Sequence, residues 1–107
     1  MKRSEPRGDF TRRTMDWAAR LDVRVRAIAI RKMRRKWASC STAGRLTFDE
    51  SLLGKPGDLQ DYVIVHELLH VSVPNHGKLW KSLMRAHLGD YELLEARLNG
   101  ITPRDKR

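Results

Sequence analysis

Three of the four histidines in this chain fall within eleven residues, and two of them flank a glutamate in the pentapeptide HELLH. His66 and His70 are four residues apart, so they share one face of a helix, while Glu67 lies on the adjoining flank. Two imidazoles with a carboxylate beside them can hold a catalytic zinc ion and supply a general base for hydrolysis. The spacing therefore predicts one zinc ion per chain, with His66 and His70 as ligands and Glu67 as the catalytic base.

The sequence around this motif argues against a chance match. Residues 62–73 read YVIVHELLHVSV, which is apolar on almost every side of a helix. Such a helix is buried in a globular protein. Each polar group buried without a partner costs about 1–3 kcal/mol, and a metal ion with its water would satisfy the two histidines and the glutamate together.

His76 is the favoured third metal ligand. It follows His70 by six residues, which is the HExxH-x5-H spacing of the metzincin peptidases. Metzincins turn the chain with a glycine three residues after the second histidine, whereas this chain has Val73 there, followed by Pro74. A proline ends the helix, so it offers a different way to bring His76 back over the metal.

A glutamate on a later helix is the alternative third ligand. Gluzincin peptidases use such a residue, and Glu92 lies at a suitable distance, with Glu95 on the same predicted helix. The other interpretation of both glutamates is an exposed helical face. Cys40 could act as a fourth, blocking ligand, but burial as a small apolar side chain is favoured. Core positions are predicted for Trp37, Tyr62 and Trp80. The fourth histidine, His87, is predicted to lie at the surface.

Length and composition predict one domain. The chain has 107 residues, of which 40% are hydrophobic, and this suffices for a single modest core. We expect a disordered basic N-terminus over residues 1–8, one domain over residues 9–99 and a basic tail over residues 100–107.

The protein is expected to be a cytoplasmic monomer that does not contact membranes. Its charged N-terminus lacks the apolar core of a signal peptide, and no stretch approaches the roughly 20 apolar residues of a membrane span. The single cysteine, Cys40, excludes an internal disulfide bond and suits a reducing compartment.

The charge is strongly positive. The chain carries 22 Lys and Arg against 13 Asp and Glu, a net charge of +9, and much of it lies in residues 31–36 and near the termini. A positive surface attracts polyanions, so weak, salt-sensitive binding to nucleic acid is an expectation. The other interpretation is that the charge only keeps the protein soluble, because the sequence contains no established nucleic-acid-binding signature.

The pattern of apolar residues predicts an α+β fold in which helices pack on a small antiparallel sheet. Asp58 is the predicted N-cap of the motif helix, and Asp61 completes a partial capping box. Strands are predicted at residues 23–30, 37–41 and 45–48, and helices at residues 9–21, 58–73, 77–88 and 91–98.

Three motifs in this order resemble the YgjP-like metallopeptidase family. Residues 32–41 (KMRRKWASCS) are similar to the family's KMKTRWGSCS, residues 61–70 (DYVIVHELLH) to DYVVVHELAH, and residues 74–80 (PNHGKLW) to PNHSxxFW. The resemblance runs from about Val25 to about Leu88. The chain departs from the family at Ala38, where a glycine is usual, and in the shortness of the segment that precedes its strands.

The resemblance implies a zincin-like fold with a strand pair beside the metal helix, and zinc bound by His66, His70 and His76. The family is similar to the SprT and WLM peptidases. The implied activity is zinc-dependent hydrolysis of a protein or peptide substrate by a metal-activated water, with Glu67 as the general base. Two alternatives remain open: a nucleoside-triphosphate (UTP) pyrophosphatase, although no Gly-rich phosphate loop is present, and a non-catalytic zinc-stabilised module that binds nucleic acid or protein.

Overall fold

Four helices and a three-stranded sheet make up the fold, in a computed structural model that describes residues 5–73 and 77–100. The α+β class is therefore confirmed. The predictions for residues 1–4, 74–76 and 101–107, including those for His76, lie outside the described residues. The elements are α1 (Pro6–Leu21), β1 (Ala27–Arg31), β2 (Ala38–Cys40), β3 (Arg45–Asp49), a 3-10 helix (Glu50–Gly54), α2 (Gly57–Ser72), α3 (Lys78–Leu88) and α4 (Tyr91–Asn99).

Two helix starts differ from the prediction. α1 begins at Pro6 rather than Asp9, so residues 6–8 are helical and their predicted disorder is wrong. A proline at the first helical position has its φ angle already set for a helix and lacks an N–H that would go unpaired there. α2 begins at Gly57 with Pro56 as its N-cap, so Asp58 lies inside the first turn instead of capping it.

The sheet is mixed, with strand order β1-β3-β2. β2 pairs antiparallel with β3, as predicted, but β1 runs parallel to β3. The prediction that all strands are antiparallel is therefore wrong for β1. The parallel pairing arises because residues 32–37 cross from β1 to the far edge of the sheet. The chain then returns through a turn at Gly44. This position requires glycine, because its φ is +91° and a Cβ built there would lie only 2.6 Å from the Arg24 carbonyl oxygen.

A buried carboxylate holds this crossover in place. Asp49 ends β3, and its Oδ1 accepts a 2.7 Å hydrogen bond from the Met33 backbone N–H. Its own backbone N–H donates to the Trp37 carbonyl at 2.8 Å. Its Oδ2 accepts from the Ser51 backbone N–H at 3.1 Å and from the Ser51 hydroxyl. Residues 32–37, which we call the crossover loop, are therefore fixed to the end of β3.

α2 occupies the centre of the core. Its side chains Leu59, Ile64, Val65 and Leu68 are almost completely buried, which agrees with the apolar pattern of its sequence. Neither α2 nor any other helix in the described part of the chain is both long and apolar enough to span a bilayer. The side chains that pack around α2 come from the sheet and the other helices: Phe10, Trp17, Leu46, Phe48, Trp80, Met84, Tyr91 and Leu98.

Asp61 joins α1 to α2 instead of completing a capping box. Its Oδ1 accepts hydrogen bonds from Arg13 Nε at 2.6 Å and from the Trp17 indole N–H at 2.8 Å. The hydrogen bond to Asp61 raises the pKa of Arg13 above its ordinary value. A charged pair with an additional indole donor fixes the orientation of α1 against the first turns of α2.

Replacing Asp49 should destabilise the domain, because the Met33 and Ser51 backbone N–H groups would lose their acceptor at a buried position. We expect Asp49→Ala to lower the free energy of unfolding by about 2–3 kcal/mol, and Asp49→Asn, which keeps one carbonyl acceptor, by less. Urea denaturation measures both. Glu50→Ala is the matched control, since its 3.7 Å pair with Arg7 is exposed and contributes below about 1 kcal/mol. An unchanged midpoint for Asp49→Ala would contradict this role.

Candidate active site

The structure brings the two motif histidines together on one face of α2. The ring centroids of His66 and His70 lie 4.7 Å apart, with the ring planes at 78°. Both residues are partly exposed, although the helix around them is buried. Two imidazoles at this separation can donate nitrogen ligands to a single ion.

Aromatic side chains fix the two histidine rings. Trp80 of α3 stacks on His70 with centroids 5.8 Å apart and planes at 19°, and it meets His66 edge-on at 5.1 Å. Tyr62, one turn before His66, lies 5.7 Å from its ring. Trp80 and Tyr62 are both buried, as predicted. Burial is also the largest cause of the raised pKa of Tyr62, so its phenol stays neutral.

Glu67 is nearly buried and points towards the sheet. Its side chain is 12% exposed, and its Oε2 lies 3.2 Å from His66 Nδ1. The same carboxylate borders two clefts of about 370 and 390 Å³ that share Lys36, Ala38 and Glu67 as lining residues. Because β2 is an edge strand, the clefts lie along the edge of the sheet where it faces the motif helix.

Cys40 lies beside Glu67 in the second cleft. Burial raises the pKa of its thiol to about 11, with a further contribution from the negative charge of Glu67 and a side-chain hydrogen bond to it. The thiol is therefore protonated near neutral pH and can donate to the carboxylate. It is only half buried, so the predicted burial as a small apolar side chain is incomplete.

The two candidate glutamates of α4 have different surroundings. Glu92 is 63% exposed and lies 3.3 Å from Arg85, which fits an exposed helical face. Glu95 is exposed too, but it lines the first cleft together with His66 and Glu67. The sequence favoured Glu92 over Glu95 as the alternative third ligand. Glu95, however, lies four residues after Tyr91 and three before Leu98, and both of those residues are buried. This helical spacing was the signal that separates the two glutamates.

The histidine pair fits one part of a zinc site. Over residues 5–73 and 77–100, no group of three or more His, Cys, Asp or Glu side chains is arranged to hold a metal ion. His66 and His70 supply two nitrogen donors on a rigid support, which is the ligand chemistry that zinc prefers. A zinc site here would need a third donor, for which His76 is the residue predicted from the sequence.

Two remaining aromatic positions can be placed. His87 is exposed and meets Trp17 edge-on at 6.1 Å, in agreement with its predicted surface position. Trp37 packs against the core but is only half buried and also lines the first cleft, so its predicted core position is confirmed only in part. The Lys55 ammonium lies 5.7 Å from its ring centroid, which places a cation against this aromatic wall.

An α+β domain with HExxH on a buried helix, beside an edge strand and two clefts, has the arrangement of a metallopeptidase. The chain belongs to the YgjP-like family, whose metallopeptidase domain matches residues 1–100. Among curated proteins, none matches the chain in sequence.

Two solved structures share the fold. A metallopeptidase zymogen of Methanocaldococcus jannaschii, jannalysin, has a TM-score of 0.72 and 24% identity, covering 92% of this chain and 96% of its own. A metallopeptidase zymogen of Pyrococcus abyssi, abylysin, has a TM-score of 0.72 and 18% identity, covering 94% and 98%. At these identities the similarity shows the fold alone.

Zinc affinity should separate the candidate third ligands. We expect His76→Ala to weaken zinc binding by more than about 100-fold, since even the loss of an outer hydrogen-bond partner costs about 10–100-fold. Glu92→Ala should bind as the wild type does, and Glu95→Ala within a few-fold. Competition with a chromophoric chelator measures all three. Wild-type affinity in His76→Ala, with loss in Glu95→Ala or Glu92→Ala, would move the third ligand to α4.

The thiol of Cys40 should react slowly. With a pKa of about 11, its thiolate fraction at pH 8 is near 10⁻³, so alkylation should be about a hundredfold slower than for an unperturbed thiol. Iodoacetamide labelling of chelator-treated protein, followed by mass spectrometry from pH 7 to 11, tests this. The rate should keep rising towards pH 11, and denatured protein is the control. A plateau near pH 9 would show an ordinary thiol.

Proposed function

We propose that this protein is a zinc-dependent metallopeptidase that hydrolyses peptide bonds. The observation that carries the proposal is the position of His66, Glu67 and His70, which lie on one buried helix where two clefts meet the edge strand β2. Membership in a metallopeptidase family supports the same class of reaction.

His66, His70 and His76 are the residues proposed to hold the metal. When bound there, zinc would lower the pKa of a water molecule towards about 7 and polarise a carbonyl group. The stacking of Trp80 on His70 keeps one donor ring in a single orientation, which limits the entropy lost on metal binding.

Glu67 is proposed to act as the general base. Its side chain is 12% exposed, so few water molecules compete for its carboxylate, and it lies at the junction of the two clefts. It would accept a proton from the attacking water and later deliver that proton to the leaving amine. Cys40, a neutral donor beside it, would help to hold the carboxylate in place.

An extended peptide is the substrate shape that the site fits. β2 uses one edge to pair with β3, and no other strand of the described residues pairs with its second edge. A peptide that added a strand there would gain backbone hydrogen bonds and project alternate side chains to opposite faces. The two clefts on either side of Ala38 and Glu67 could then receive side chains that flank the scissile bond.

Glu67→Gln should lose hydrolysis while it still binds zinc, because an amide cannot accept the proton. We expect a loss of about 10²–10⁴-fold in kcat/KM, the usual contribution of general acid–base catalysis. A peptide-library digest of zinc-loaded protein, read by mass spectrometry, measures the loss of hydrolysis. The bound zinc of each variant is determined in parallel. Glu92→Gln is the matched control, since Glu92 is exposed outside the clefts.

A wild-type rate in Glu67→Gln would show that Glu67 is not the base. Parallel incubation with UTP and other nucleotides separates the pyrophosphatase alternative. Nucleotide hydrolysis without any peptide cleavage would replace the proposed function. Zinc binding with neither activity would instead favour the non-catalytic module.

A further inference from the structure

The crossover loop carries four basic residues and leads directly into β2, beside the candidate active site. Lys32, Arg34, Arg35 and Lys36 are all exposed, while the loop backbone is anchored to Asp49 through Met33 and Trp37. Charges on an anchored backbone are partly pre-organised, so less conformational entropy is lost when they bind a partner.

Two of these residues enter the clefts themselves. Arg35 lines the first cleft, and Lys36 lines both. Within residues 5–73 and 77–100, neither side chain forms an ion pair with an acidic residue. They are therefore cations that line a proposed substrate site without a carboxylate partner in the described part of the chain.

Lys36 lies on the side of the sheet that faces the motif helix. Ala38 pairs with Phe48 and Cys40 with Leu46, and both partners are buried in the core that faces α2. Ala38 and Cys40 alternate along β2 and so share the face of the sheet that is turned towards α2. Lys36 precedes β2 by two residues and lines both clefts together with Ala38 and Glu67, which places it on this same side.

We propose that Lys36, assisted by Arg35, selects peptide substrates with an acidic side chain next to the scissile bond. This inference rests on the proposed peptidase function and names the substrate class of the same site. A Glu or Asp side chain in either cleft would meet Lys36, which among residues 5–73 and 77–100 is the only lysine or arginine that lines the second cleft. Complementary charge across a site favours the matching ligand and disfavours a basic one.

A single carboxylate fits these clefts better than a polyanion does. Glu95 lines the first cleft together with the two cations, and Glu67 borders both clefts. These carboxylates would repel the dense negative charge of a nucleic-acid backbone or a triphosphate. The clefts, at about 370 and 390 Å³, have room for a few peptide side chains.

Matched peptides test the selection. Three peptides should be identical except for Glu, Gln or Lys next to the bond that the library digest identifies. Zinc-loaded wild type, Lys36→Glu and Lys81→Glu are compared by kcat/KM at low and physiological salt. Lys81 is the control because it is exposed on α3 outside both clefts and gives the same change in net charge. Thermal melts confirm that each variant folds.

We expect the wild type to prefer the Glu peptide, and Lys36→Glu to lower the Glu-to-Gln ratio of kcat/KM by about tenfold while it improves cleavage of the Lys peptide. The preference should weaken as salt screens the charges. Lys81→Glu should keep the wild-type ratio. Equal ratios in the wild type, or equal shifts in both variants, would overturn the inference.

A binding assay separates failure of the inference from failure of the proposed function. Fluorescence anisotropy of labelled peptides on Glu67→Gln reports recognition without turnover. If binding favours the acidic peptide and depends on Lys36, but the wild type cleaves no peptide, the inferred selection by Lys36 stands and the proposed peptidase function is overturned. Weaker binding of duplex DNA by Lys36→Glu, with unchanged peptide selectivity, would assign the crossover loop to nucleic acid and overturn the inference. Absence of both binding and cleavage would overturn both.

Discussion

Burial of polar groups on a central apolar helix is the constraint on which this domain depends. α2 is enclosed by the sheet and the other helices, yet it carries His66, Glu67 and His70. Glu67 is buried and needs a partner, since an unpaired buried polar group costs about 1–3 kcal/mol, whereas His66 and His70 are partly exposed. Trp80 packs against both imidazoles, and Cys40 lies against the carboxylate. The packing that encloses the helix therefore also holds its reactive side chains in place.

A second buried carboxylate links the sheet to the site. Asp49 is completely buried and receives backbone N–H groups from the crossover loop and from the start of the 3-10 helix. The loop leads directly into β2, which faces Glu67 across the clefts. The position of Lys36 and of the edge strand therefore depends on a residue that does not line either cleft.

Local patterns predicted the motif helix well. The apolar run around HELLH and the breaks at Pro56 and Pro74 gave a helix over residues 58–73, and the structure has Gly57–Ser72. Helix type and length follow from periodicity and from helix-ending residues, which are local properties. The shared face of His66 and His70 followed from the same periodicity.

Features that depend on distant contacts were less predictable. Alternating residues indicate a strand but not its direction, so the parallel pairing of β1 with β3 was missed. The approach of Cys40 to Glu67 joins elements that are far apart in sequence. Glu95 is different, because its spacing from Tyr91 and Leu98 is a local signal that it lies on the same side of α4 as these two buried residues, although its own side chain is exposed.

The proposed zinc ligands are the two motif histidines and His76. The most direct measurement is the X-ray absorption spectrum of protein loaded with one zinc per chain. A site of three imidazoles and one oxygen predicts nitrogen and oxygen scatterers at about 2.0–2.1 Å, with the multiple scattering of three histidine rings. A sulfur scatterer at about 2.3 Å, or the multiple scattering of only two rings, would contradict the proposed ligands.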